Sequence, residues 1–264
     1  MRADALAALL LWALMAVLLL PTALIAPADA APVAVRHVEG TSHGFVVLRS
    51  YRGAVLASGQ LLQTVRGERL ESRLFFHFAD GSLYDETVTF TQHSVFRLVA
   101  YRLIQRGPAF GEASSNVAFD RDSGRYRATS GDKSAEGTLD LPEDLHNGMT
   151  GMLIRNLPQG GRATGYLMAF TPKPQLVRRD MAPEGEDRFS IGEASFTAAR
   201  YLVKLEIPGL KGTIANLIGK DPPDIRYWVS TGTVPAFLKF EGAMYLKGPI
   251  WTIEQPAPHW SNKR

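Results

Sequence analysis

The chain has 264 residues, with 29 Lys and Arg against 26 Asp and Glu, a formal charge of +3 and no cysteine. Its charges are scattered and form no long run of one sign, which argues against a nucleic-acid footprint. The lack of cysteine excludes a disulfide framework, a thiol nucleophile and lipidation at a signal-peptide cysteine, so stability has to come from a core.

Residues 1–30 read as a secretory signal. Arg2 supplies the positive n-region, Ala5 to Leu20 is an unbroken apolar run, Pro21 ends it, and Ala28-Asp29-Ala30 puts small residues where a signal peptidase cuts. Cleavage implies a periplasmic or secreted protein formed by residues 31–264 as one domain. The alternative is an inner-membrane anchor, because the apolar stretch from Ala5 to Ala28 is long enough to span a bilayer if it is kept.

The rest of the chain alternates with period two. Ser72, Leu74, Phe76 and Phe78 share one face while Arg73, Phe75 and His77 share the other. Tyr201, Val203, Leu205 and Ile207 oppose Arg200, Leu202, Lys204 and Glu206 in the same way. Such alternation predicts antiparallel strands with one buried and one wet face. Asp80-Gly81 and Asp122-Ser123-Gly124 are hairpin turns, and glycines punctuate the remainder. Pro108, Pro235 and Pro249, each with an aromatic residue two positions on, mark strand starts. The pattern predicts a mainly β protein of about eleven or twelve strands in one strongly curved antiparallel sheet, an open or closed β-barrel.

Two segments break the alternation. In Glu143–Leu157, Leu145, Met149, Leu153 and Leu157 recur every four residues with Met152 beside them. Pro142 and two acids precede, and Pro158 follows. This predicts a short amphipathic helix. Gly148 and Gly151 weaken it and its methionines pack adaptably, the make-up of a movable lid. In Gly209–Gly219, Leu210, Ile214, Leu217 and Ile218 share a face, and Pro222-Pro223 forbid continuation, which predicts a second helix. Trp228, Phe237, Phe240, Tyr245 and Trp251 then make an aromatic C-terminal sheet, which reads as core or as the wall of an apolar cavity.

Catalytic signatures are missing: there is no G-x-S-x-G, H-E-x-x-H, P-loop or dinucleotide fingerprint. His37, His43, His77 and His93 have no zinc spacing. Asp120-Arg121-Asp122-Ser123-Gly124 opens like a calcium loop, but Gly131 stands where the closing glutamate belongs, so a hairpin is the better reading. Asp85 and Glu86 fall on opposite faces of one strand and cannot act as a carboxylate pair on their own. Asp144 and His146 are the first suspects for acid–base chemistry, although positions two apart on a helix point in different directions. No metal and no cofactor is expected.

An export signal, a long curved antiparallel sheet and short apolar helices interrupting it resemble the periplasmic lipoprotein carriers of the LolA/LolB type and related bacterial envelope domains. The resemblance spans most of the chain as a pattern, without a signature motif. It implies an open barrel whose cavity holds acyl chains and whose helices plug the mouth. The lipid-anchored branch begins at a cysteine, which this chain lacks.

The expectation is therefore an exported envelope protein that binds or carries a hydrophobic small molecule or lipid, with contact to a membrane surface or an envelope protein. Its lining residues would be Leu145, Met149, Met152, Leu153, Ile214, Leu217, Trp228, Phe237 and Trp251. A structural or interaction protein with a packed core, and an envelope hydrolase using Asp144 and His146, stand as alternatives. An outer-membrane barrel fits less well, because Arg97 and Arg102 in one predicted strand point to opposite faces.

Overall fold

The computed structural model describes residues 32–170, 173–206 and 224–260. The predicted helix at Gly209–Gly219, with Ile214 and Leu217, lies outside them. Among the described residues, fifteen strands form one sheet in which the ladders between strands are antiparallel.

The first half of the chain is a meander: β1 (Ser42–Ser50), β2 (Val55–Arg66), β3 (Arg69–Phe78), β4 (Leu83–Gln92), β5 (Phe96–Arg106), β6 (Ser115–Asp120), β7 (Arg125–Ser130) and β8 (Lys133–Thr138). The second half runs through a helix, α1 (Thr150–Asn156), then β9 (Ala163–Phe170), β10 (Pro174–Ile191), β11 (Ala194–Glu206), β12 (Ile225–Ser230), β13 (Phe237–Ala243), β14 (Ile250–Glu254) and β15 (His259–Trp260). The two halves join where β14 pairs with β1, Leu48 opposite Ile253. The 18-residue β10 pairs with β11 along most of its length, and β9 and β15 pair with its other edge.

The predicted alternation sets the faces. Ser72, Phe76 and Phe78 are buried while Arg73 and His77 are not. Both predicted hairpins form, and the suspected calcium loop is the turn between β6 and β7, where Asp120 Oδ1 accepts from the amide and hydroxyl of Ser123. Strand starts follow Pro235 and Pro249, but after Pro108 the chain makes a 3-10 turn, Gly111–Ala113.

The sheet is open. It curls until its two arms touch through side chains: Phe170 on β9 packs 5.9 Å from Phe119 on β6 and 5.8 Å from Tyr126 on β7, ring centre to ring centre. Curling is what an antiparallel sheet of this size does to bury one face. The main core fills the concave side, with Phe90, Phe96, Leu98, Leu145 and Leu153 fully buried. An aromatic cluster of Phe78, Tyr84, Phe110 and Trp251 forms a second core. Phe189, Leu238 and Trp228, with Trp260 against them, form a third.

The predicted helix at 143–157 is shorter than expected. Only Thr150–Asn156 is helical, and the residues before it run as an irregular strap across the concave side. Two features explain this. Gly148 has φ +65°, a conformation that does not continue a right-handed helix. Upstream of it, the backbone pairs with β9: the His146 amide donates to Tyr166 O and the Tyr166 amide to Asp144 O, at 2.9 and 3.0 Å. Asn147 extends that pairing with its side chain, accepting from Met168 N and donating to Met168 O at 2.8 Å each. No helix among the described residues is long and apolar enough to cross a membrane.

Candidate functional site

Beneath the strap the curved sheet encloses a cavity of about 980 Å³. The walls come from β1 to β7, α1 and β9 to β14. Most of the lining is apolar, including Leu61, Leu74, Leu103, Val203, Ile225 and Phe240. The exposed side chains of the lining are Glu112, Leu246 and Lys247, so the cavity meets solvent on that side.

Polar groups stand inside this apolar wall. Glu86 on β4 turns inward because its neighbour Asp85 turns outward, where it binds Arg73 through two hydrogen bonds of 2.7 Å. The Tyr101 hydroxyl donates to Glu86 Oε1 at 2.8 Å. Burial raises the Glu86 carboxyl above its ordinary pKa, and hydrogen bonds from Tyr101 and Tyr84 pull the other way. Burial also lifts both phenols well above the usual tyrosine value, with the Glu86 charge adding to the effect. Tyr227 on β12 is pushed up to about 12 by burial, against the pull of Arg179.

Arg179 on β10 is the largest fully buried side chain, 1% exposed. Its Nη1 donates to Thr150 Oγ1 at 2.7 Å and to His146 O at 3.1 Å. Nε and Nη2 are buried without a hydrogen-bond partner, and no carboxylate among the described residues pairs with it. Burial lowers its pKa to about 10.

His146 is fully buried beside it. Its Nε2 lies 3.1 Å from Phe96 O, which only a protonated nitrogen can satisfy, so in the neutral ring Nδ1 carries the lone pair. Burial, then the Arg179 charge, lower its pKa to about 4. Gly165 makes room for this pair: a Cβ there would stand 3.5 Å from Arg179 Nη2, 3.6 Å from His146 Nδ1 and 3.1 Å from Asp144 O.

The expected lining residues divide. Met152 and Phe237 line the cavity. Leu145, Met149 and Leu153 are buried in the main core. Trp251 belongs to the second core, and Trp228 to the third, where its Nε1 donates to Asp187 at 2.6 Å and Lys239 sits 4.4 Å from its ring centre. Asp144 and His146 lie in the strap, and the histidine ring has no accessible surface with which to meet a substrate. Among the described residues no cluster of His, Asp and Glu could hold a metal.

The inward polar residues Tyr84, Glu86, Tyr101, Arg179 and Tyr227 were not anticipated. Their signal was a charge or a phenol on the apolar face of an alternating strand, as in Tyr84-Glu86-Val88-Phe90 and Val177-Arg179-Met181.

No family model and no curated relative matches the chain. Among solved structures, it is similar to a crystal structure from Brucella abortus described as a beta-barrel-like protein of domain of unknown function DUF1849. The two are 10% identical, the match covers 86% of this chain and 100% of the other, and the TM-score is 0.46.

Proposed function

We propose that this is an exported cell-envelope protein that binds an amphipathic, lipid-like molecule in the hollow of its curved sheet. The observation that carries the proposal is the cavity: about 980 Å³, mostly apolar, with inward polar groups from β4, β5, β10 and β12. That volume lies at the upper end of the range for small-molecule sites, roughly 300–1,000 Å³, and the mixture of lining is theirs. The export reading rests on Arg2, the apolar run and the Ala28-Asp29-Ala30 site. The opposing reading, an envelope interaction protein, requires an interior filled by its own side chains.

Native mass spectrometry of the protein purified without detergent tests this, with displacement of an environment-sensitive fluorescent acyl probe as the second readout. The expected result is a lipid-sized adduct and saturable displacement, both reduced by Leu103→Trp, which fills the hollow. Adduct-free protein that also fails to bind the probe would overturn the reading.

A further inference from the structure

The charged residues lining the cavity differ in what they can offer a ligand. Glu112 and Lys247 are exposed. Arg155 is held by Glu39 at 2.8 Å. Arg179 has one nitrogen committed to Thr150 and His146, and its other two have no accessible surface. Glu86 is the exception. It is inward and partly accessible, its hydrogen-bond partners are phenols, and among the described residues it has no ion pair. A buried anion without a cation is a costly arrangement.

The surroundings of Glu86 are specific. Tyr84 and Tyr101 direct their hydroxyls to it, and Tyr227 is close enough to feel its charge. Further rings stand beside these three: Phe110 is 6.3 Å from Tyr84, Phe119 is 5.2 Å from Tyr101 and Phe240 is 5.1 Å from Tyr227. A carboxylate among tyrosines is the chemistry that receives an alkylammonium, with the carboxylate and the phenol oxygens both able to accept its N–H groups. The strap favours this by passing Glu86 with a glycine: a Cβ on Gly148 would lie 3.3 Å from the carboxyl, in the space a head group needs.

From this geometry we infer that the cavity binds a long-chain amphiphile with an ammonium head group, seated with its nitrogen against Glu86 and its chain along the apolar wall. The inference rests on the cavity being a lipid site. The raised carboxyl pKa is consistent with it, since among the described residues no cation near Glu86 favours the charged form, and a bound ammonium would supply that partner.

The test is a head-group series of constant chain length on the full mature protein by isothermal titration at pH 7.5. Dodecylammonium should bind at least about tenfold more tightly than dodecanol or dodecanoate, the effect of one charge-assisted hydrogen bond. Glu86→Gln keeps the shape and an acceptor for Tyr101 but removes the charge, and it should bring the amine and the alcohol within about threefold of each other. Lysophosphatidylethanolamine with a twelve-carbon chain distinguishes the source. Binding as tight as the free amine points to a lipid head group and weaker binding to a simple amine, and both outcomes uphold the ammonium site. If the three dodecyl compounds bind wild type equally, or if dodecanoate binds best, the head-group assignment falls while the lipid site stands. If none binds, the lipid site falls and the assignment with it. The wild-type series decides the matter even if the variant does not fold.

Discussion

His146 offers a measurement of how tightly the strap is held. Its ring is fully buried, one nitrogen is tied to Phe96 O and a guanidinium lies beside it. Burial and the Arg179 charge hold its pKa at about 4, against 6.5 for a free imidazole. Between those values the unfolded chain binds a proton that the native protein refuses, so stability rises with pH there. The contribution is complete above about pH 6.5 and is lost as pH falls through about 4. At 1.36 kcal/mol per pH unit, the gap corresponds to roughly 3 kcal/mol.

The assay is urea unfolding of wild type and His146→Leu from pH 7.5 to 4, with the imidazole resonances followed by NMR. The variant loses the bond to Phe96 O and is expected to be less stable at pH 7.5. Its stability should then fall by roughly 3 kcal/mol less than that of wild type over the range, so the two curves converge. Other groups, Glu86 included, titrate in both proteins, so their contributions largely cancel in the difference. A His146 resonance with a midpoint near 6.5, or parallel curves for the two proteins, would refute the account of a sealed, cation-flanked ring.

Two further changes probe the scaffold. Gly59→Ala on β2 places a methyl group against the Phe75 carbonyl oxygen and the fully buried Phe76 ring, and a backbone atom cannot step aside. The expected loss is about 2–3 kcal/mol in chemical denaturation, and a loss under half a kilocalorie would show that the strands separate more easily than drawn. Asn156→Leu removes the oxygen that accepts from the amides of Arg36 and His37 at 2.8 and 2.7 Å, and the nitrogen that donates to Met152 O at 3.0 Å. It should cost about 2–4 kcal/mol and raise hydrogen exchange at residues 35–39, while unchanged protection there would refute the strapping.

The β character, both hairpins and the inward and outward faces were legible because they depend on neighbours in sequence: a residue's parity along a strand decides its side. The pairing of β14 with β1 was not. Leu48 and Ile253 are about two hundred residues apart, and nothing local to either marks the other. The helix was half legible for a related reason. Leu145, Met149 and Leu153 have helical spacing and all are buried, but Leu145 is buried by bridging to Tyr166 on β9, upstream of the helix itself. A stripe records which residues go inside, not the backbone that takes them there. That Glu86 faces away from Asp85 was legible from strand parity, but the full set of groups around it was not. Tyr84 stands two residues before it on β4 and Tyr101 on the neighbouring β5, but only the curl of the sheet brings Tyr227 of β12 to it.

The same contacts bear on how the cavity could be entered. The glycines and methionines of the strap suggested a lid. In the fold, Arg121 donates to Leu141 O and Pro142 O, Arg97 holds Glu143, His146 is tied to Phe96 O, and Asn147 pairs twice with Met168. Lifting the strap would break these bonds together, at about 0.5–1.5 kcal/mol each, and would expose Leu145 and Met149 as well. Gly148 and Gly151 serve contact instead: Gly148 lets the strap pass close to Glu86, and Gly151 lets α1 lie against Tyr227, whose ring would stand 3.4 Å from a Cβ there. The strap is therefore a fixed wall of the cavity. Under the proposed function the easier path is on the side of Glu112, Leu246 and Lys247, where the lining is already exposed and the Tyr245 hydroxyl bond to Ala109 O, 3.0 Å, ties the two loops.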